Sequence, residues 1–360
     1  MAVMSKSGWG VGPQELTSGI DTLVLSYRGV ADSCLLTELE EAKETARALS
    51  TSVPFTLGGE ECLLSAGSMG RHAFRLAHPR GLIGIGTGER LPVLRFQPYG
   101  EVLHSLGPLG VDAWIRSVMG NRVQIIEDIV SRVDLHADFA ELNVTERDEE
   151  NFVTRAGRVS GHHDRGVFTG YSFGKRSSRS ISARIYDKTQ EVADKGGTYV
   201  YELWGEKYVH GDVVWRVEFE LHRGFLRKYG ITTLDELIWQ AGGLWKYATT
   251  DWLSLRRPTE DQTRSRWPVD PRWQAVEETS LAARLVPLEK VAALQSRDSA
   301  KREIAYVLGE LVRWGAILGT PTLEQTLETL PSYIGRHLGK SSADFGELQR
   351  VKRIKMGLVS

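Results

Sequence analysis

Cysteine is nearly absent from this chain: Cys34 and Cys62 are the two among 360 residues. That leaves no disulfide framework and no cysteine-rich zinc site. Long apolar runs are missing as well. No stretch approaches the ~18 residues that would span a membrane. The opening MAVMSKSGWGVG lacks the apolar core of a signal peptide. A cytoplasmic protein with no membrane partner is the expectation. The sequence also lacks internal repeats and long low-complexity tracts. It has no overall excess of charge either, with a formal net charge of −1. An apolar fraction of 41% and a charged fraction of 25% are ordinary for a globular chain. At roughly 150 residues per domain, the length suggests two domains.

Charge is unevenly placed. From Phe152 to Lys188 there are eight Lys or Arg and two Asp, a formal charge of about +6. A second basic cluster, ELQRVKRIKMG, lies near the end of the sequence. A local basic patch on a neutral protein can serve a phosphate backbone without general stickiness. A solvated Lys/Arg-rich loop region would look the same.

The hydrophobic pattern predicts a strand over 20–28 and a helix over 34–49. Antiparallel hairpins follow over 53–106, then a short helix over 109–118. The glycines of GLIGIGTG lie between hairpin-like flanks, so they read as a strand and turn and not as a dinucleotide fingerprint. Strands are expected over 130–139, 180–187 and 213–222, with helices near 147–156 and 189–206. Beyond 223 the pattern turns helical, over 223–256 and 281–336, around the Arg- and Trp-containing segment 256–273. The expected class is α+β: an antiparallel sheet with flanking helices, followed by a mainly helical C-terminal region. The divisions are an N-terminal extension over 1–19, a catalytic domain over 20–230, and a helical domain over 231–360 that could bind DNA.

Three of these strands carry unusual polar faces. Alternation places Arg132, Asp134, His136 and Asp138 on one face of the first, with Val133, Leu135, Ala137 and Phe139 on the other. In the third, Arg216, Glu218, Glu220 and His222 oppose Trp215, Val217, Phe219 and Leu221. The middle strand, SARIYDKTQE, shows Ser182, Arg184, Tyr186 and Lys188. The plainest meaning is an antiparallel sheet with one wet face. Yet four acids on two neighbouring strands repel one another. Stability then favours a counter-ion, either nearby Arg and Lys or a hard divalent cation such as Mg²⁺ or Mn²⁺.

That arrangement offers Tyr186 a reaction. A phenol with a pKa of about 10 is a weak nucleophile at neutral pH, and nearby cations favour its ionised form. A metal can hold and polarise a phosphodiester. The product of transesterification would be a phosphate on Tyr186 and a free 3′ hydroxyl on DNA. Tyr171, in TGYSFG beside Lys175 and Arg176, is the rival nucleophile, unless it packs in the core or stacks on a base.

Taken in order, RVDLHADF, GYSFGKRSSRSISARIYDKTQE and WRVEFELHR resemble the three motifs of the replication initiation factor (Rep_trans) family. That family includes rolling-circle initiators of plasmids and some phages, and related relaxases of mobile elements. The resemblance covers about 130–223. It implies that Tyr186 is the nucleophile and that Arg184 and Lys188 are its basic neighbours. It implies that Asp134, Glu218 and Glu220 help hold a divalent metal, Mg²⁺ or Mn²⁺. Asp138 matches a second acid of the first strand. Lys175, Arg176 and Arg179 fall in its basic, serine-rich stretch and are expected to contact DNA. His136 departs from the pattern, since small or apolar residues are usual there. His162 and His163 lack the His-hydrophobic-His spacing of the other large rolling-circle class, so GHHDRG reads as a loop near DNA. The implied partner is origin duplex with a single-stranded or extruded nick site; a homodimer and a host helicase are further expectations. A relaxase and a non-catalytic DNA-binding regulator are the alternative roles.

Overall fold

In the computed structural model, residues 12–87, 91–175 and 180–281 are described, followed by 311, 314–315, 318–338, 346 and 349–350. The strands are β1 (Gln14–Ala31), β2 (Val53–Leu57), β3 (Glu60–Ser65), β4 (Phe74–His78), β5 (Gly81–Ile85), β6 (Leu94–Pro98) and β7 (Val123–Ala140). They continue with β8 (Phe152–Thr154), β9 (Val159–Asp164), β10 (Val167–Phe173), β11 (Ile181–Asp187), β12 (Val214–His222) and β13 (Leu253–Leu255). The helices are α1 (Ser33–Ala48), α2 (Gly100–Met119), α3 (Lys188–Lys195), α4 (Tyr199–Trp204), α5 (Arg223–Leu226), α6 (Leu234–Tyr247), α7 (Pro271–Glu277) and α8 (Leu323–Leu338). Eleven strands form one antiparallel sheet in the order β2-β3-β4-β5-β6-β1-β7-β12-β11-β10-β9, and β13 pairs with β8. This is the α+β class expected.

Local chemistry explains the joins. Asp32 caps α1 by accepting a hydrogen bond from the Leu35 amide at 2.7 Å, and Leu35, Leu39 and Ala46 form its buried stripe. Thr233 and Glu236 form a capping box on α6. The apolar face of the central strands is covered by α6 and the turn between α6 and β13, and α7 packs against that turn. There Phe219 meets the rings of Trp245 and Trp252 at 5.4 and 6.2 Å. One core cluster includes Leu135, Phe219, Trp245, Trp273 and Leu281. The core therefore runs on past 230, and Trp245 and Trp252 belong to it.

Several elements differ from the sequence expectation. β1 and β7 each extend for 18 residues. Their pairing is interrupted by register shifts near Glu15, Ile20, Val24 and Arg28, which hide the period of two. β1 thus begins inside the expected N-terminal extension. The helix expected over 109–118 is the second half of α2, which breaks at Gly107 and Pro108. Residues 147–156 form a 3₁₀ turn and then β8, because Thr145 and Asp148 cap a single short turn. The helix expected over 189–206 is two helices, separated by Gly196 and Gly197 at φ 82° and 88°. GHHDRG is a strand and hairpin turn, with Arg165 and Gly166 at positive φ. Residues 253–255 are strand, not helix. Of the region 281–336, the part expected to be helical falls largely outside the described residues; α8 is helical.

Candidate active site

The register aligns the three polar strand faces. Across β7 and β12, Asp134 pairs with Glu220, His136 with Glu218 and Asp138 with Arg216. Across β12 and β11, Glu220 pairs with Ser182, Glu218 with Arg184 and Arg216 with Tyr186. Directly opposed residues project from the same side of a sheet, so all of these groups share one face. That face is not wet. Asp134, His136, Asp138, Arg216, Glu218 and Glu220 are at most 4% exposed.

Tyr186 is half-buried at a cleft of about 360 Å³ lined also by His162, Asp164, Arg184, Gln190 and Glu191. Its hydroxyl donates to Glu218 Oε2 at 3.0 Å. Arg184 donates to the other Glu218 oxygen at 2.5 Å and lies 4.8 Å from the Tyr186 ring centre. Lys188 is 5.8 Å from the same ring, but it is not a strand residue. Asp187 ends β11 and caps α3 by accepting from the Gln190 amide at 2.9 Å. Lys188 therefore starts the helix and donates to Glu191 at 2.6 Å. Behind Tyr186 lies Gly170 at φ 143°, where a Cβ would come within 2.7 Å of the Tyr186 Cα. Only glycine lets β10 approach that closely.

Burial, with the adjacent Glu218 carboxylate, raises the Tyr186 pKa well above the usual phenol value, despite Arg216 and Arg184. The phenol is held neutral, with its proton directed at a carboxylate. The nearby cations thus do not ionise it in advance.

Arginines supply the counter-charge on the acidic face. Arg132 donates to both Asp134 oxygens, at 2.8 and 2.5 Å, and lies 2.9 Å from Glu220. His222 meets Glu220 at 2.5 Å. Arg216 donates to Asp138 at 2.6 and 2.8 Å and to Asp21, and the Trp204 indole donates to Asp138 at 2.7 Å. Burial raises Asp134 to about 7, with repulsion from Glu218 and Glu220 adding to it against Arg132. Asp138 is lowered: burial opposes its charge, but Arg216 outweighs it. As they stand, the four acids expected to hold Mg²⁺ or Mn²⁺ are bonded to protein donors and are not gathered round a common point.

The remaining sequence candidates are spread out. Lys175 is exposed after β10; Arg176 and Arg179 lie outside the described residues. Arg158, His162, His163 and Arg165 are exposed on or beside the β9–β10 hairpin, next to the cleft. His162 meets Ser172 at 2.7 Å. The Tyr171 ring borders the cleft, but its hydroxyl points inward, donating to the carbonyls of Thr145 and Glu146 at 2.9 and 2.8 Å. The structure also adds two groups that sequence reading did not single out. Asp21 is the extra residue between the pairs Ile20–Leu135 and Thr22–Asp134, and this bulge aims it at Arg216. His104 comes from α2, with its ring centre 5.5 Å from that of His136. No period-based signal marks a bulged aspartate or a lone helical histidine.

No family model and no curated protein matches this chain. Among solved structures, a rolling circle replication initiator protein from Geobacillus stearothermophilus aligns with 74% of this chain and 95% of its own, at 14% identity and a TM-score of 0.41.

Proposed function

We propose that this chain is a DNA nicking and joining enzyme that initiates rolling-circle replication, with Tyr186 as its nucleophile. The observation that carries this reading is the Tyr186–Glu218 hydrogen bond at 3.0 Å beside a cleft, flanked by Arg184 and Lys188. A structural tyrosine needs no such mixture of base and cations at a cleft.

The reaction is an in-line transesterification. Tyr186 Oη attacks phosphorus as its proton passes to Glu218. The bond from phosphorus to the 3′ oxygen breaks, and that oxygen takes up a proton from water to become a free 3′ hydroxyl. The 5′ phosphate stays on Tyr186. Rejoining is the reverse: a 3′ hydroxyl loses its proton to water as it attacks the phosphotyrosine, and Glu218 returns its own proton to the Tyr186 oxygen. One phosphate ester replaces another, so joining needs no outside energy source. Arg184 and Lys188 neutralise the phosphate oxygens, and the exposed basic hairpin at β9–β10 tracks the backbone in a salt-dependent way. A hard divalent ion such as Mg²⁺ or Mn²⁺ would supply further charge stabilisation. Asp134 and Glu220, which pair across β7 and β12, would hold it.

The test incubates the full chain with supercoiled DNA carrying the cognate origin, in chelator and then with Mg²⁺ or Mn²⁺ added back. A covalent protein–DNA adduct is expected that is lost in Tyr186→Phe and kept in Tyr171→Phe. An adduct of normal yield in Tyr186→Phe rejects the reading.

A further inference from the structure

Buried imidazole nitrogens nearly always find a hydrogen-bond partner. His136 is 0% exposed, yet neither its Nδ1 nor its Nε2 has one. The Nε2 of His104, facing it, is also buried and unpartnered. With Asp21 they form a group whose ligand atoms all lie within 4.8 Å of one another, and no other three acids or histidines among the described residues do so. We propose that Asp21, His104 and His136 bind one divalent first-row transition ion.

The chemistry of the donors fits that class. Two imidazoles and one carboxylate suit Mn²⁺, Co²⁺ or Zn²⁺, whereas Mg²⁺ prefers an all-oxygen shell. An ion about 2.1 Å from each donor bridges donors up to about 4.2 Å apart. Donors that lie within 4.8 Å of one another therefore need to close by only a few tenths of an ångström. Burial is the main cause that lowers His104 to about 4 and His136 to about 3, so both are neutral at pH 7, the form that ligates metal. The fixed charges nearby are already balanced. Arg216 is bonded to Asp138 and Asp21, and Lys188 to Glu191. The Arg216 bond occupies Asp21 Oδ1, and the ion takes Oδ2. Position adds interest: Arg216 joins Asp21 to the strand position opposite Tyr186. An ion there fixes Asp21 and, through Arg216, the bed on which Tyr186 lies.

Metal binding is measured without DNA, so this inference stands or falls separately from the role of Tyr186. The full chain, stripped by chelator, is titrated with Mn²⁺ by the loss of the free-ion paramagnetic signal, and with Co²⁺ by its visible absorption. One ion per chain is expected, with a rise in unfolding temperature. Mg²⁺ should compete at least about tenfold more weakly. His104→Asn and His136→Phe should each weaken Mn²⁺ by at least about tenfold, and Glu218→Gln should not. Should His136→Phe fail to fold, His104→Asn decides alone. No saturable binding, unchanged binding in His104→Asn, or binding lost in Glu218→Gln overturns the proposal.

Discussion

Asp138 separates a structural acid from a metal ligand. Its carboxylate accepts two hydrogen bonds from Arg216 and one from Trp204, and Asp138 and Arg216 are both 0% exposed. Asp138→Ala leaves a guanidinium in the interior with Asp21 as its one remaining carboxylate. Removing one partner of a buried ion pair costs about 3–5 kcal/mol. That is a large part of the roughly 5–15 kcal/mol available to a typical domain. The double variant Asp138→Ala with Arg216→Met removes the pair together and should recover most of the loss, giving coupling of about 2–3 kcal/mol in the cycle with the two single variants. Urea unfolding read by tryptophan fluorescence measures all four proteins, and Trp204 itself contacts the site. Loss below about 1 kcal/mol in Asp138→Ala, or additive single effects, would refute the reasoning.

Glu218→Gln keeps the shape beside Tyr186 but removes the base; single-turnover adduct formation should slow by about 10²–10⁴-fold, and a rate within about threefold of normal argues against the proton path. Gly170→Ala puts a Cβ within 2.1 Å of the Ile185 carbonyl oxygen; a stability loss of about 1–3 kcal/mol should appear in urea unfolding together with reduced adduct yield, and a neutral outcome contradicts the close approach of β10 and β11. Burial raises the Glu191 pKa, but Lys188 and Lys195 outweigh it and hold the group at about 2 against its ordinary 4.5. Its contribution is therefore complete above about pH 4.5 and is lost as the pH falls toward 2. Unfolding midpoints at about pH 5 and pH 3 should differ less in Glu191→Gln than in the unmutated chain.

The sequence pattern revealed the parts of the site that repeat every second residue. In β7 and β12 the alternation is unbroken over the paired residues from Arg132 to Ala140 and from Val214 to His222, so the shared polar face of Asp134, Glu218 and Glu220 was legible. Arg184 and Tyr186 joined it for the same reason. Lys188 was placed near the site by the wrong route, since Asp187 starts a helix there. Burial of the face was not legible. It comes from neighbours distant in sequence, among them His104 on α2 and Trp204 on α4. The choice between arginine and metal as counter-charge was open in the sequence, because it depends on side-chain reach: Arg132 bridges two acids. Asp21 was hidden by the bulge that makes it useful.

The most direct measurement is the identity of the residue that carries DNA. After reaction with origin DNA, nuclease trimming and tryptic digestion, mass spectrometry should find the nucleotide phosphate on the peptide Ile185–Lys188, released by cleavage after Arg184 and Lys188. The account predicts that peptide and its loss in Tyr186→Phe. A phosphate on Gly166–Lys175, which carries Tyr171, or on any other peptide would contradict it.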